Sequence, residues 1–131
     1  MTRMLDEMRE AMVAHALRIA LYGRHCMSPL GASRLLVTEG VELIAYALKK
    51  EGSNVRLGVE TNGKLGPDNV RGLIIYTGRE TVVIPMAISP SLVRIRKKPV
   101  FLDHESGAVA LVRAILAEVE LAVEAEAAAR Q

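Results

Sequence analysis

Apolar and charged side chains alternate with a helical period at the start of the chain. Between residues 3 and 22, apolar side chains recur at three- and four-residue steps, and most charged ones fall between them. This spacing puts the apolar positions on one side of an α-helix, so we expect an amphipathic helix there, ended by Gly23. The apolar stripe consists of Met4, Leu5, Met8, Met12, Ala16 and Ile19.

A second helix is predicted from its end signals. Ser28-Pro29 or Ser33 supplies the start, and the helix runs to Lys49 or Lys50 before Gly52. Gly40 lies inside it, where glycine costs about 1 kcal/mol relative to alanine. We therefore expect another element to pack closely against the helix at Gly40.

From residue 54 the apolar period changes to two, which is typical of a β-strand. Asn62-Gly63 favours a hairpin turn. Two further strands are predicted in 73–76 and 81–88, around a turn formed by Thr77, Gly78, Arg79 and Glu80. Both runs are apolar at successive positions, so we expect both faces of the sheet to be covered by helices.

The remaining pattern predicts two more strands and a final helix. Ser89-Pro90 interrupts the third strand, residues 92–97 form the next, and residues 100–102 add a short one. Asp103 or Ser106 can cap a long last helix, whose turns beyond Val123 are expected to project into solvent or onto a neighbouring chain. We thus predict one α+β domain over 1–131, with a helical part (1–52), a mainly antiparallel sheet of four or five strands (54–102) and a helix (103–131).

Composition narrows the setting of this domain. The 131 residues include one Phe, three Tyr and no Trp, so aliphatic side chains must build the core. Cys26 is alone, and neither a secretory signal nor a membrane span is evident, which favours a cytoplasmic protein, or one in the host cytoplasm if it is viral. Only three Asn and one Gln occur among abundant charged residues, so we expect a thermophilic archaeon or one of its viruses as the source.

Charge is distributed unevenly along the chain. Residues 1–53 carry seven cations and six carboxylates, residues 54–98 carry eight and three, and residues 99–131 carry two and six. The middle of the chain is therefore basic and the end acidic. Such asymmetry can attract a polyanion to one surface, or attract two copies of the chain to each other.

Residues 39–87 resemble the middle of the PD-(D/E)xK nucleases. Glu39 or Glu42 matches the helix acid of that family, and Asp68 follows Pro67 where its first metal-binding aspartate lies. The second half of the motif is missing, because Ile84 to Ala87 stand where the second acid and the lysine belong. Glu80 falls in the predicted turn, and Pro67-Asp68 is also ordinary turn chemistry. We therefore predict no metal site here.

Other candidate chemistry is weaker. His25 and Cys26 are adjacent, but a catalytic pair usually comes from separated elements. Residues 103–105 offer three potential metal ligands, yet Asp103 is more simply a helix cap. The carboxylates of the last helix are interpreted as a solvated face, and no glycine-rich phosphate loop occurs. No catalytic residue, metal ligand or cofactor is predicted.

The strongest remaining signal is the basic run of residues 94–98. In a single strand, Arg94, Arg96 and Lys98 would point to one side, about 6.6 Å apart, which suits a phosphate backbone. Arg56, Arg79, Lys64 and Arg71 belong to the same sheet region and could extend the patch. The competing interpretation is a charged edge strand that discourages aggregation.

Three hypotheses for function follow. The first is a small non-enzymatic protein that binds DNA or RNA phosphates; its proposed binding residues are Arg94, Arg96, Lys97, Lys98, Arg56 and Arg79. The second is a homo-oligomeric structural or assembly protein without a nucleic-acid role, and a homodimer is expected under either hypothesis. The third is a degenerate relative of the PD-(D/E)xK nucleases that lacks the catalytic acid and lysine.

Overall fold

Helices occupy both ends of the chain and strands its middle in the computed structural model, which describes residues 4–22, 28–61, 70–102 and 106–129. Two helices, α1 (Glu7–Tyr22) and α2 (Pro29–Lys50), precede five strands. The strands are β1 (Arg56–Thr61), β2 (Val70–Tyr76), β3 (Thr81–Ser89), β4 (Leu92–Ile95) and β5 (Lys98–Phe101). Helix α3 (Gly107–Ala129) follows the strands. The predicted α+β fold is confirmed.

Polar side chains fix where the first two helices begin. The Asp6 carboxylate accepts a hydrogen bond from the backbone N–H of Arg9 at 2.8 Å. The Ser28 hydroxyl accepts one from Gly31 at 3.1 Å, with Pro29 in the first helical turn. Each bond satisfies one N–H that the helix itself leaves unpaired. Of the two predicted starts for α2, Ser28 is therefore the correct one.

The sheet is an antiparallel meander in the order β1-β2-β3-β4-β5. The central strand β3 uses its two halves differently. Its first half pairs with β2, so that Thr81 lies opposite Tyr76, and its second half pairs with β4, so that Ser89 lies opposite Leu92. The predicted turn between β2 and β3 is present, and the backbone N–H of Thr77 donates to the Glu80 carbonyl at 3.1 Å.

One face of the sheet packs against helices, and the other is open. Alternate strand positions on the packed face are buried, whereas Val83 and Phe101 on the opposite face are 44% and 59% exposed. The expectation that helices cover both faces is therefore wrong. A continuous apolar run shows that a strand is apolar on both sides. The helices, however, pack against one another and against one face of the sheet. The packed face comprises Leu73, Ile75, Ile84, Met86, Val93, Ile95 and Val100.

The buried side of α1 is not the predicted stripe. Met8, Met12 and Ile19 are 73%, 60% and 58% exposed, while Val13, Ala14 and Leu17 are buried. The same side of the helix buries Glu10, which accepts a hydrogen bond from Arg113 of α3 at 3.3 Å. Because Arg113 balances its charge, Glu10 can occupy a buried position that would otherwise require an apolar side chain.

Gly40 lies where α1 and α3 approach α2, as predicted. A methyl group added there would stand 3.5 Å from Leu17 and 3.6 Å from Leu111.

No helix in the described ranges is long and apolar enough to cross a bilayer. Asn62-Gly63, Asp68, Lys64, Asp103 and the His25-Cys26 pair lie outside the described residues.

Candidate nucleic-acid interface

No helix among the described residues covers the open face of the sheet. This face combines an apolar centre on β2 and β3 with polar side chains toward its margins. Two aromatic side chains belong to it by strand register, Tyr76 and Phe101, and they are 40% and 59% exposed. We define the open face by Arg56, Gly58, Glu60, Gly72, Ile74, Tyr76, Thr81, Val83, Pro85, Ala87, Ser89, Leu92, Arg94, Pro99 and Phe101.

The basic run of residues 94–98 forms a hairpin and not one strand. Strand β4 ends at Ile95, which lies opposite Lys98 of β5, so Arg96 and Lys97 form the two-residue turn. The expectation of three cations in a row along one strand is therefore wrong. The chain reverses without a glycine because Arg96 itself adopts a φ of 60°, a conformation that a side chain disfavours.

Arg96 is held in place by contacts at both ends. Its backbone N–H donates to the Pro85 carbonyl at 2.8 Å. Its guanidinium Nε donates to the two carboxylate oxygens of Glu118 at 2.7 and 3.0 Å. The Glu118 side chain is only 9% exposed, so the pair attaches the hairpin to α3. Much of the Arg96 charge is thereby balanced within the protein.

The other cations of the hairpin are differently placed. Arg94, Lys97 and Lys98 are all exposed. Within the described part of the chain, no carboxylate forms an ion pair with any of them. Arg94 lies on the open face between Ala87 and Pro99, two short neighbours that leave its guanidinium accessible. These three residues are the cations that an incoming anion can reach.

Arg56 and Arg79 lie at the far end of the sheet. Arg56 shares a row with Tyr76 and Thr81, whereas Arg94 shares a row with Ala87. The two rows are six residues of β3 apart, which corresponds to about 20 Å along a strand. Arg79 is exposed in the turn next to the Arg56 row. The six predicted binding residues therefore form two clusters at opposite ends of the sheet, and of the six only Arg56 and Arg94 belong to the open face.

Positive charge predominates over the described sheet. Residues 56–61 and 70–101 contain seven arginines and lysines but only two carboxylates, Glu60 and Glu80. Glu60 is partly balanced by Arg71, whose Nε lies 3.7 Å from its carboxylate. On the open face itself, Arg56 and Arg94 lie on opposite sides of the apolar centre, and Glu60 is the carboxylate of that face.

The carboxylates of α3 do not form the expected solvated face. Glu118 and Glu126 are buried. Glu126 accepts a hydrogen bond from the Thr77 hydroxyl, and Glu120 accepts one from the backbone N–H of Met4 at 3.2 Å. Glu126 thus attaches α3 to the β2–β3 turn, which corrects the expectation for that residue. The other described residues beyond Val123, including Glu124, are exposed as expected.

The described part of the partial nuclease motif comprises its three candidate glutamates, and Asp68 lies outside it. Glu39 and Glu42 lie on α2, and Glu80 lies in the exposed β2–β3 turn. The described residues contain no group of three or more potential ligands that could hold a metal ion.

Neither a protein-family model nor a curated protein or solved structure matches this chain.

Proposed function

We propose that the protein binds a single strand of nucleic acid across the open face of its sheet. The observation that carries this proposal is an uncovered sheet face with accessible cations at both ends, at Arg94 near the hairpin and at Arg56 near the opposite margin. The proposed role requires no catalysis. The proposal retains the binding residues predicted from the sequence, but the residues contribute unequally to phosphate binding.

Phosphates supply most of the affinity in this proposal. Each cation that neutralises a phosphate releases a condensed counterion, which favours binding at low salt. Arg94 on the open face and Lys97 in the turn can do so freely. Lys98 lies opposite Ile95 of the packed face, so it can reach a phosphate only at the edge of the hairpin, and Arg96 already faces Glu118. Arg96 is therefore a positioning residue for the hairpin, and its neighbours make the phosphate contacts.

The apolar centre favours a single strand over a duplex. Unpaired bases expose apolar faces that can lie on Ile74 and Val83 and stack on Tyr76 and Phe101, whereas a duplex presents phosphates to a flat surface. Stacking on one aromatic side chain contributes about 1–3 kcal/mol per base. Arg56 and Arg94 are separated by about 20 Å along the strands and by three strand spacings across the sheet, so a bound strand must span about 25 Å, which several nucleotides can do.

A matched pair of variants tests the proposal. Arg94→Ser/Lys97→Ser removes one arginine and one lysine from the interface, and Arg9→Ser/Lys49→Ser removes the same charges from exposed helix positions. Binding of a fluorescent 20-mer is measured by anisotropy from 50 to 300 mM salt. We expect the interface variant to reduce the slope of log affinity against log salt by about 1.4, at about 0.7 per phosphate contact, and the control to change it little. Equal effects of the two variants would remove the proposal.

A homo-oligomeric assembly protein is the second candidate. It is supported by large apolar side chains exposed on α1 and on the open face, among them Met8, Met12 and Val83. Such side chains often mark protein contacts when they cluster. The anisotropy titration separates the candidates, because this one requires no affinity for oligonucleotides. Light scattering at micromolar concentration tests it further, since a monomer would contradict it.

We also propose the setting inferred from composition. Scarce asparagine and glutamine and a single cysteine support a cytoplasmic protein from a thermophilic archaeon or from a virus of one. This part of the proposal concerns the environment and is independent of the ligand.

A further inference from the structure

An apolar surface on the helical side of the molecule faces away from the sheet. On α1, the exposed side chains Met8, Met12 and Ile19 are separated by four and seven residues, so they share one side of the helix. A groove of about 480 Å³ separates this stripe from α2, with Leu43 and Tyr46 on its other wall. Methionine adapts its shape to a partner, so such a surface suits a protein contact.

The outer side of α2 carries a polar pattern that identifies the partner. Glu39, Leu43, Tyr46 and Lys50 follow one another at steps of four, three and four residues, which places them in one row. The row begins with a carboxylate, continues with two apolar side chains and ends with an ammonium group. Its ends are eleven residues apart, or about 16 Å along the helix. The core-facing positions Val37, Val41, Ile44 and Leu48 lie on the other side of α2.

We propose that this surface binds a second copy of the same chain, with the two α2 helices antiparallel about a two-fold axis. In that arrangement, Glu39 of each copy meets Lys50 of the other, and the apolar centres of the two rows meet each other. A parallel arrangement would bring equal charges together. A row with opposite charges at its ends is thus complementary to its own reversed copy, which is the requirement of a two-fold interface.

The neighbouring contacts are compatible with this pairing. The Lys50 ammonium lies 5.5 Å from the centre of the Tyr46 ring, which holds the cation beside the apolar centre. Arg9 at the same end of the groove pairs with Glu51 at 3.0 Å, so these two charges largely balance each other. Because the row lies opposite the core-facing side of α2, pairing leaves both open sheet faces uncovered. The inference therefore stands independently of the proposed nucleic-acid binding.

Charge reversal tests the pairing directly. Sedimentation analysis of the full chain is made for Glu39→Lys and Lys50→Glu, alone and mixed. Each single variant places like charges at both symmetric contacts, so we expect its dimer to weaken about tenfold to thirtyfold. An equimolar mixture should form a heterodimer of near-parent affinity, because all its contacts again join opposite charges. Restoration by mixing is a result that general destabilisation cannot produce.

Apolar variants supply the second measurement. Tyr46→Asp should convert the dimer to monomer, whereas Leu121→Asp, at an equally exposed position on α3, should leave it intact. Circular dichroism confirms that each variant is folded. A parent chain that is monomeric at 50 μM (roughly the weakest affinity expected of a specific dimer) overturns the inference. So does a dimer that resists all the α2 variants but dissociates with Val83→Asp, since the open face would then be the contact.

Discussion

Replacement of Arg96 by alanine should destabilise the fold through the buried carboxylate that it leaves behind. Arg96 donates to Glu118 at 2.7 and 3.0 Å and attaches the β4–β5 hairpin to α3. Without the guanidinium, the Glu118 carboxylate has lost its cation in a site where its side chain is 9% exposed. The perturbation therefore tests whether the hairpin is held in place by this pair.

The size of the effect follows from the exposure of the two partners. Exposed pairs contribute about 0.2–1 kcal/mol, and breaking a fully buried pair costs about 3–5 kcal/mol. Here the carboxylate is nearly buried but the Arg96 side chain is 54% exposed, so solvent screens the pair from one side. We expect an intermediate loss of about 2 kcal/mol in the free energy of unfolding.

Two further variants separate the causes. Arg96→Gly relieves the positive φ, which costs a side chain about 1–2 kcal/mol, but glycine adds about 0.5–1 kcal/mol of chain entropy. The glycine variant should therefore be more stable than the alanine variant by about 0.5–1 kcal/mol. Adding Glu118→Gln to Arg96→Ala should recover about 1 kcal/mol, because a neutral amide is less costly to bury than a lone carboxylate.

Urea unfolding followed by far-UV circular dichroism measures these differences as shifts in midpoint at constant slope. The reasoning is refuted if Arg96→Ala unfolds within about 0.5 kcal/mol of the parent, the range of an ordinary surface change. It is refuted equally if Glu118→Gln destabilises the alanine variant further.

Three other substitutions or measurements test the packing and the setting. Gly40→Ala should stabilise the protein by up to about 1 kcal/mol, because its methyl group would meet leucine side chains at 3.5 and 3.6 Å, and a lower urea midpoint would contradict this. Gly107→Ala should destabilise the protein by about 1–3 kcal/mol, because its methyl group would stand 2.8 Å from the Leu102 backbone. Gly58→Ala is the control and should change the stability little, since no atom lies within 4 Å of the added methyl group. Calorimetry should give a Tm above about 65 °C if the thermophilic source is correct, and a mesophilic Tm of about 45–65 °C would argue against it.

Local signals were sufficient for most elements of the fold. Ser28-Pro29 and Gly52 marked the two ends of α2, because helix capping and chain reversal depend on the residues at those positions. Thr77-Gly78 similarly located the β2–β3 turn, where Gly78 has a φ of 110°. The approach of other helices at Gly40 was also predicted from the sequence, although the distances of 3.5 and 3.6 Å to an added methyl group leave room for alanine there.

The errors share a dependence on distant partners. Arg96 was assigned to a strand because arginine carries no turn signal, and its positive φ is stabilised by Glu118 on another element. The buried side of α1 was misassigned because Glu10 is balanced by Arg113, which is 103 residues away. For the candidate site, residue types predicted the cations, but only the hairpin register showed that Arg94 and Phe101 share a face.

The most direct test of the central claim is a titration of ¹⁵N-labelled protein with an unlabelled single-stranded 12-mer, observed by amide chemical shifts. Binding on the open face predicts the largest changes at Ile74, Val83, Arg94 and Phe101, with the α2 core positions Val41 and Ile44 unchanged. No shift changes at millimolar oligonucleotide and low salt (about the weakest measurable affinity), or changes confined to α1 and α2, would contradict the account.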